Sequence, residues 1–150
     1  MANSAKELLV VGWREWISLP ALGIPHIKAK IDTGARTSAL HAFSLKCFKD
    51  AGKYKIRFLI HPYQRKKNPI IECVTDLKEM RYVTDSGGHR EERPVIETLF
   101  CIGSYRWPIE ITLTSRDDMR FRMLLGRTAM VKRALVNPMT SYLIGKKISS

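Results

Sequence analysis

The feature that most limits how this chain can fold is a series of short segments in which apolar and polar residues alternate, with turn residues between them. Within 53–62, Tyr54, Ile56, Phe58 and Ile60 fall on one face, and within 26–32, Ile27, Ala29 and Ile31 oppose His26, Lys28 and Lys30. Successive side chains of a strand point to opposite faces, so a period of two marks a strand with one face buried. Further strands are predicted over 8–13, 16–22, 70–74, 79–84, 93–102, 106–114, 122–125 and 142–144, with a turn at Gly23-Ile24-Pro25. Residues 37–43 read equally as a helical turn or a strand. Asp85-Ser86-Gly87-Gly88 and Gly103-Ser104 supply residues that accept positive φ and close hairpins. Only 128–135 carries good helix propensity, in Ala129, Met130, Arg133 and Ala134, and Val136-Asn137-Pro138 ends it. This is the pattern of a small all-β barrel or sandwich with one short helix near the C-terminus. With no repeat or linker, 1–150 reads as one domain, its core over about 8–145.

Charge narrows the partners. Lys+Arg number 26 against 14 Asp+Glu, a formal net charge of +12, and such a surface attracts acidic molecules. The basic residues are dispersed, and the one run, Arg65-Lys66-Lys67, sits among prolines as a solvated loop. Without a zinc finger, an aromatic RNP pattern or a helix-turn-helix, nucleic acid stays open but is not favoured over acidic peptide. No apolar run nears the roughly 18 residues of a spanning helix, and the first seven residues do not resemble a signal peptide. A cytoplasmic protein without membrane contact is therefore expected. Cys47, Cys73 and Cys101 are odd in number and widely spaced, which predicts reduced, buried thiols. His26, His41, His61 and His89 lack metal-ligand spacing, and no phosphate-binding Gly-rich loop occurs, so neither metal nor other cofactor is expected.

Two short segments carry the candidate chemistry. Ile31-Asp32-Thr33-Gly34-Ala35 ends an alternating strand in a turn, and Met123-Leu124-Leu125-Gly126-Arg127 is an apolar strand stopped by glycine. Each alone is a weak signal. Together, in this order and among short strands, they resemble the retropepsin-like aspartic proteases. The likeness extends over Gly12-Trp13-Arg14-Glu15-Trp16, the segment 28–41, Ser86-Gly87-Gly88-His89-Arg90 and the segment 122–130. These stretches are similar to a bacterial and archaeal family once catalogued as ATP-dependent zinc proteases and found alongside glutamate-adding ligases.

The resemblance implies a small closed six-stranded acid-protease barrel and an aspartic peptidase that acts as a homodimer on a peptide or protein substrate. Asp32 from each subunit would hold one water on the two-fold axis, because a single Asp-Thr-Gly supplies half of a carboxylate pair. Thr33 would reach across the axis, and Gly34 would turn the backbone and aim an N–H at the carboxylate. Leu124 and Leu125 would pack beneath the loop, Gly126 would allow close backbone approach, and Arg127 would support the site. Ser86, Gly87, Gly88, His89 and Arg90 fall where such enzymes carry a substrate-covering flap, and Ala35 and Arg36 would line the cleft. Arg36 departs from the acidic or small residue usual there, so Arg127 needs another carboxylate; Asp117, Asp118 and Glu15 are candidates. Arg36, His89, Arg90 and Arg93 suit an acidic, glutamate-rich peptide. Trp13 and Trp16 are expected to cap the barrel, with Trp107 in its core or rim. The competing reading keeps the basic groove as a binding module for acidic peptide or RNA, without catalysis.

Overall fold

In the computed structural model, residues 8–85, 87–116 and 119–145 are described. Twelve strands and one short helix follow in chain order. They are β1 (Leu9–Val11), β2 (Arg14–Leu19), β3 (Ile24–Ile31), β4 (Ser38–His41), β5 (Phe43–Asp50), β6 (Lys53–Ile60), β7 (Ile71–Asp76) and β8 (Glu79–Thr84), then β9 (Arg90–Ile102), β10 (Tyr105–Thr114), β11 (Met123–Leu125), α1 (Arg127–Met130) and β12 (Ala134–Val136). The chain is therefore mostly β, as the alternation requires.

The main sheet runs β10-β4-β11-β3-β2-β9-β8, and β9 pairs with β10 as well. The hairpin β9–β10 turns at Gly103, whose φ is +58°. In β11, Met-Leu-Leu has no polar side to offer, as suits a strand flanked on both edges: it lies parallel to β3 and antiparallel to β4. This central position brings Leu125 level with Ile31, the residue before Asp32.

A second sheet, β5-β6-β7, lays the apolar face of β6 on the first. Ile56, Phe58 and Ile60 are fully buried there, among the same cluster as Ile27, Leu40, Ile96, Phe100 and Leu113. Each such side chain contributes about 1.5–3 kcal/mol by leaving water. Tyr54, expected on this face, lies beyond the core and is exposed. Cys73 faces the core from β7 and its Sγ lies 3.3 Å from the Leu22 carbonyl. Loss of solvation pushes its thiol up to about 12, so it stays a thiol. Cys47, in contrast, is exposed and Cys101 half-buried, which corrects the expectation of three buried cysteines.

Several boundaries differ from expectation. The reversal after β2 is the 3-10 turn Pro20–Leu22 capped by Gly23 at φ +77°, so Ile24 and Pro25 already belong to β3. Residues 37–43 resolve into strand β4, and β5 had no sequence signal because both of its faces are largely wet. Helix α1 is a single turn, since residues 134–136 pair in parallel with β1. Residues 142–144 are not a strand: the Tyr142 N–H donates to the Arg14 carbonyl at 2.9 Å, and the residues that follow are held by Glu15. That side chain is completely buried, its Oε2 accepting the N–H groups of Gly12 (2.6 Å) and Leu143 (2.9 Å) and its Oε1 those of Ile144 (3.1 Å) and Gly145 (2.7 Å).

Candidate active site

Asp32 follows the last residue of β3, and the turn after it is built by backbone bonds from two sides. The Asp32 N–H donates to the Leu125 carbonyl of β11 at 2.8 Å, and Ala35 N–H closes the turn on the Asp32 carbonyl at 3.2 Å. The Gly34 N–H donates to Asp32 Oδ1 at 3.1 Å, and a Cβ on Gly34 would stand 3.3 Å from that oxygen. The expected role of Gly34 thus has its geometry: a donor is brought to the carboxyl and no side chain intrudes.

The second motif locks the turn from behind. Arg127 N–H and Thr128 N–H donate to the carbonyls of Ala35 (2.8 Å) and Arg36 (3.0 Å). Gly126 donates to Ser38 Oγ at 3.0 Å, and any Cβ there would meet the Thr37 carbonyl carbon at 2.6 Å. Glycine is required because two backbones touch at this point. Leu125 is buried under the turn as expected, whereas Leu124 is half-buried and lines the groove.

Arg127 has partners that the sequence did not indicate. Its Nη1 donates to the carbonyls of Thr33 (3.0 Å) and Gly34 (3.1 Å), holding the turn through main-chain oxygens. Glu15 cannot serve as its partner, being enclosed among the four N–H groups given above; Asp117 and Asp118 lie outside the described residues. A planar guanidinium supplies several donors in a fixed fork, so carbonyls satisfy it where a carboxylate is lacking.

Asp32 opens on a groove of about 910 Å³. One wall is the turn with Gly34, Ala35, Arg36 and Thr37; the opposite wall is the β8 arm from Arg81 to Asp85 together with Arg93. Thr33 is exposed at the tip of the turn. Arg36 is exposed, and among the described residues its guanidinium meets no carboxylate. Deeper in the wall, Glu110 accepts from Arg81 at 3.1 Å and pairs with Lys78 at 2.5 Å. The Lys78 bond leads in holding Glu110 below the ordinary carboxylate range, with Arg81 second.

The expected flap is the β8–β9 hairpin. Asp85 Oδ1 accepts the N–H groups of Gly87 and His89, both at 2.9 Å, and Gly88 takes φ +84°. The His89 N–H leads in holding Asp85 below its ordinary value. Gly87, Gly88, His89 and Arg90 are all exposed and lie outside the groove lining. Arg90 stacks its guanidinium 4.3 Å over the Tyr82 ring. Ser86 lies outside the described residues. The groove is instead faced by Arg81 to Asp85, residues the sequence did not single out; the period of two in 79–84, continued across the hairpin, was the available signal.

Trp107 is buried, donating its indole N–H to the Ala129 carbonyl at 2.8 Å. Trp13 and Trp16 are half-buried in an edge cluster, Trp13 against Phe121 and Trp16 against His26, Tyr63 and Tyr142. Among the described residues no group of His, Cys, Asp and Glu is arranged to hold a metal ion.

Comparison with known proteins follows the same lines. A family model described as "RimB-like: Retropepsin-like aspartic endopeptidase RimB" matches residues 10–147. Relatives named "Probable alpha-L-glutamate ligase" include one from Shewanella pealeana, 42% identical over 92% of this chain. Another, from Parasynechococcus marenigrum, is 46% identical over 91%. The chain spans only 30% and 29% of the length of these two relatives. A solved structure of a Legionella pneumophila protein of unknown function superposes with a TM-score of 0.77 at 22% identity, covering 91% of this chain and 98% of that one, which is a likeness of fold.

Proposed function

Because the chain belongs to the RimB-like family of retropepsin-like aspartic endopeptidases, we propose that it is an aspartic peptidase whose working unit is a homodimer with one Asp32 from each subunit. The observation that carries this reading is the Asp32 turn. Its carboxyl stands on the groove floor at the end of β3, receives the Gly34 N–H, and is braced from behind by β11 and Arg127. One Asp-Thr-Gly turn supplies half of the carboxyl pair that this chemistry uses, and a two-fold axis would supply the other half. Thr33, exposed at the tip of the turn, is then free to bond across the axis. In our reading the ladder also closes into a six-stranded barrel, since β10, β4, β11, β3, β2 and β9 lead back to β10. The Ser18–Cys101 pair is the narrow link between β2 and β9.

In the dimer, two carboxyls a few ångströms apart share one proton, because ionising both would set like charges side by side. The ionised one takes a proton from water as the water oxygen bonds to the scissile carbonyl carbon, and the protonated one gives its proton to the carbonyl oxygen. Collapse of the resulting gem-diol breaks the C–N bond, and the leaving nitrogen receives a proton from the dyad. The β8–β9 hairpin would fold over the peptide and exclude water.

The substrate class we favour is an acidic peptide. Arg36, Arg81, Arg93, Arg116 and Arg127 line the groove against Asp32, Asp85 and Glu110. The relatives' names refer to joining glutamate, and a peptidase with this groove would act on glutamate-rich chains of the kind such a ligase makes. A cytoplasmic setting suits that pairing. Turnover of glutamate-rich peptides by the wild-type chain, abolished in Asp32→Asn with fold and peptide affinity retained, is the expected result. Unaltered function in Asp32→Asn would leave the groove as a binding module for acidic peptide or RNA.

A further inference from the structure

One cation in the groove wall is largely buried and, among the described residues, has a single half-exposed carboxylate as its counter-charge. Arg93 on β9 is only 6% exposed. Among the described residues its one ion-pair partner is Glu91, with Nε 3.3 Å from an oxygen of a carboxylate that is itself 46% exposed. Arg93 also stands in register directly across from Arg81 on β8, and like charges opposite each other in a ladder repel. Arg81 is balanced by Glu79 and Glu110; among the described residues Arg93 has Glu91 alone. A guanidinium largely withdrawn from water and paired through Nε alone to one half-exposed carboxylate is under-compensated, and natural chains keep such local conflicts chiefly where function requires them.

The other arginines near the groove are placed differently. Arg127 is engaged with the Thr33 and Gly34 carbonyls, Arg90 lies over Tyr82, and Arg36 is solvated. An ion pair made by a freely solvated side chain gains little, whereas one made by a guanidinium whose stem is buried and fixed in a groove wall discriminates better.

We infer that Arg93 is the specificity-determining residue of the groove, its terminal N–H groups receiving one carboxylate of the bound peptide. The chemistry fits a glutamate or aspartate side chain and also a free C-terminal carboxylate. This inference rests on the peptidase reading only for the ligand being a peptide; the need of Arg93 for an anion is independent of cleavage.

The test uses short peptides carrying a single Glu among neutral residues, each with a Gln twin and each with a free or amidated C-terminus. The readout is the ratio of kcat/KM for Glu over Gln on one preparation, which a reduced folded fraction does not alter. The wild-type ratio should be about tenfold or more, falling close to one in Arg93→Gln and lying between in Arg93→Lys. Arg106→Gln, an exposed arginine outside the groove, should keep the wild-type ratio. Dependence on the free terminus and not on Glu would assign the carboxylate to the chain end. A wild-type ratio near one on both comparisons, or a ratio unchanged in Arg93→Gln, overturns the inference. Affinity of the same peptides for Asp32→Asn, with and without Arg93→Gln, separates the two readings. Glu preference lost with Arg93, but without cleavage by any variant, sinks the peptidase and keeps the recognition; cleavage without preference does the reverse.

Discussion

Glu15 offers the most quantitative check on how the site is supported. Its carboxyl, fully buried, accepts four backbone N–H groups, those of Gly12, Leu143, Ile144 and Gly145. These bonds hold residues 143–145 against β2. The adjoining residue Trp13 gives its carbonyl to Ile31 N–H at 2.8 Å, immediately before Asp32. Glu15→Ala orphans the Gly12 and Gly145 donors in the interior and weakens the two partly buried ones. Each buried donor without a partner costs about 1–3 kcal/mol, so the substitution should cost about 3–5 kcal/mol. That is a large part of the roughly 5–15 kcal/mol that holds a domain of this size together. Glu15→Gln keeps one oxygen, hence one pair of bonds, and should lose about half as much. Urea unfolding read by tryptophan fluorescence measures both, with unchanged m-values if only the folded state is affected. Amide exchange at Leu143, Ile144 and Gly145 should accelerate in step. A loss below about 1 kcal/mol for Glu15→Ala at constant m would refute the argument that these donors depend on this side chain.

Other perturbations test the site itself. Gly126→Ala would place a Cβ 2.6 Å from the Thr37 carbonyl carbon and 2.9 Å from the Ser38 nitrogen. Backbone atoms cannot rotate away, so the cost should be about 1–3 kcal/mol in denaturation, with turnover lowered further because the Asp32 turn moves. At the hairpin tip, bonds from the His89 and Gly87 N–H groups favour ionised Asp85. Its folded value lies below its unfolded one, so the tip is fully supported above the ordinary carboxylate range and loses that support as pH falls from there through the lowered folded value. Amide exchange at Gly87 and His89 should show this loss in the wild type and not in Asp85→Asn, whose amide oxygen still accepts. The same loss in both would assign it elsewhere.

The sequence displayed some parts of this molecule better than others, for physical reasons. The alternation in β6 was legible because Ile56, Phe58 and Ile60 face one core while the residues between them are less buried. The two motifs located the Asp32 turn correctly, since Asp, Gly and an apolar strand ending in Gly each answer a local backbone need. Strand β5 gave no signal: with both faces largely wet it has no alternation to show, and Ser44 at φ +53° interrupts its register. Ala134 and Leu135, expected at the end of the helix, are strand because β1 offers parallel pairing, a long-range contact that propensity does not contain. Glu15 read only as a candidate partner for Arg127; its four neutral donors come mostly from the far end of the chain. The carbonyl partners of Arg127 were hidden for a related reason, since main-chain oxygens leave no mark in side-chain identity.

Subunit mixing tests the central claim most directly. Wild-type chain is combined at fixed total concentration with Asp32→Asn chain, allowed to exchange subunits, and assayed on one cleavable acidic peptide. If each working site draws one carboxyl from each of two copies, turnover falls as the square of the wild-type fraction. A linear fall would mean that one chain hydrolyses alone, and the account of Asp32 meeting its symmetry mate would be wrong.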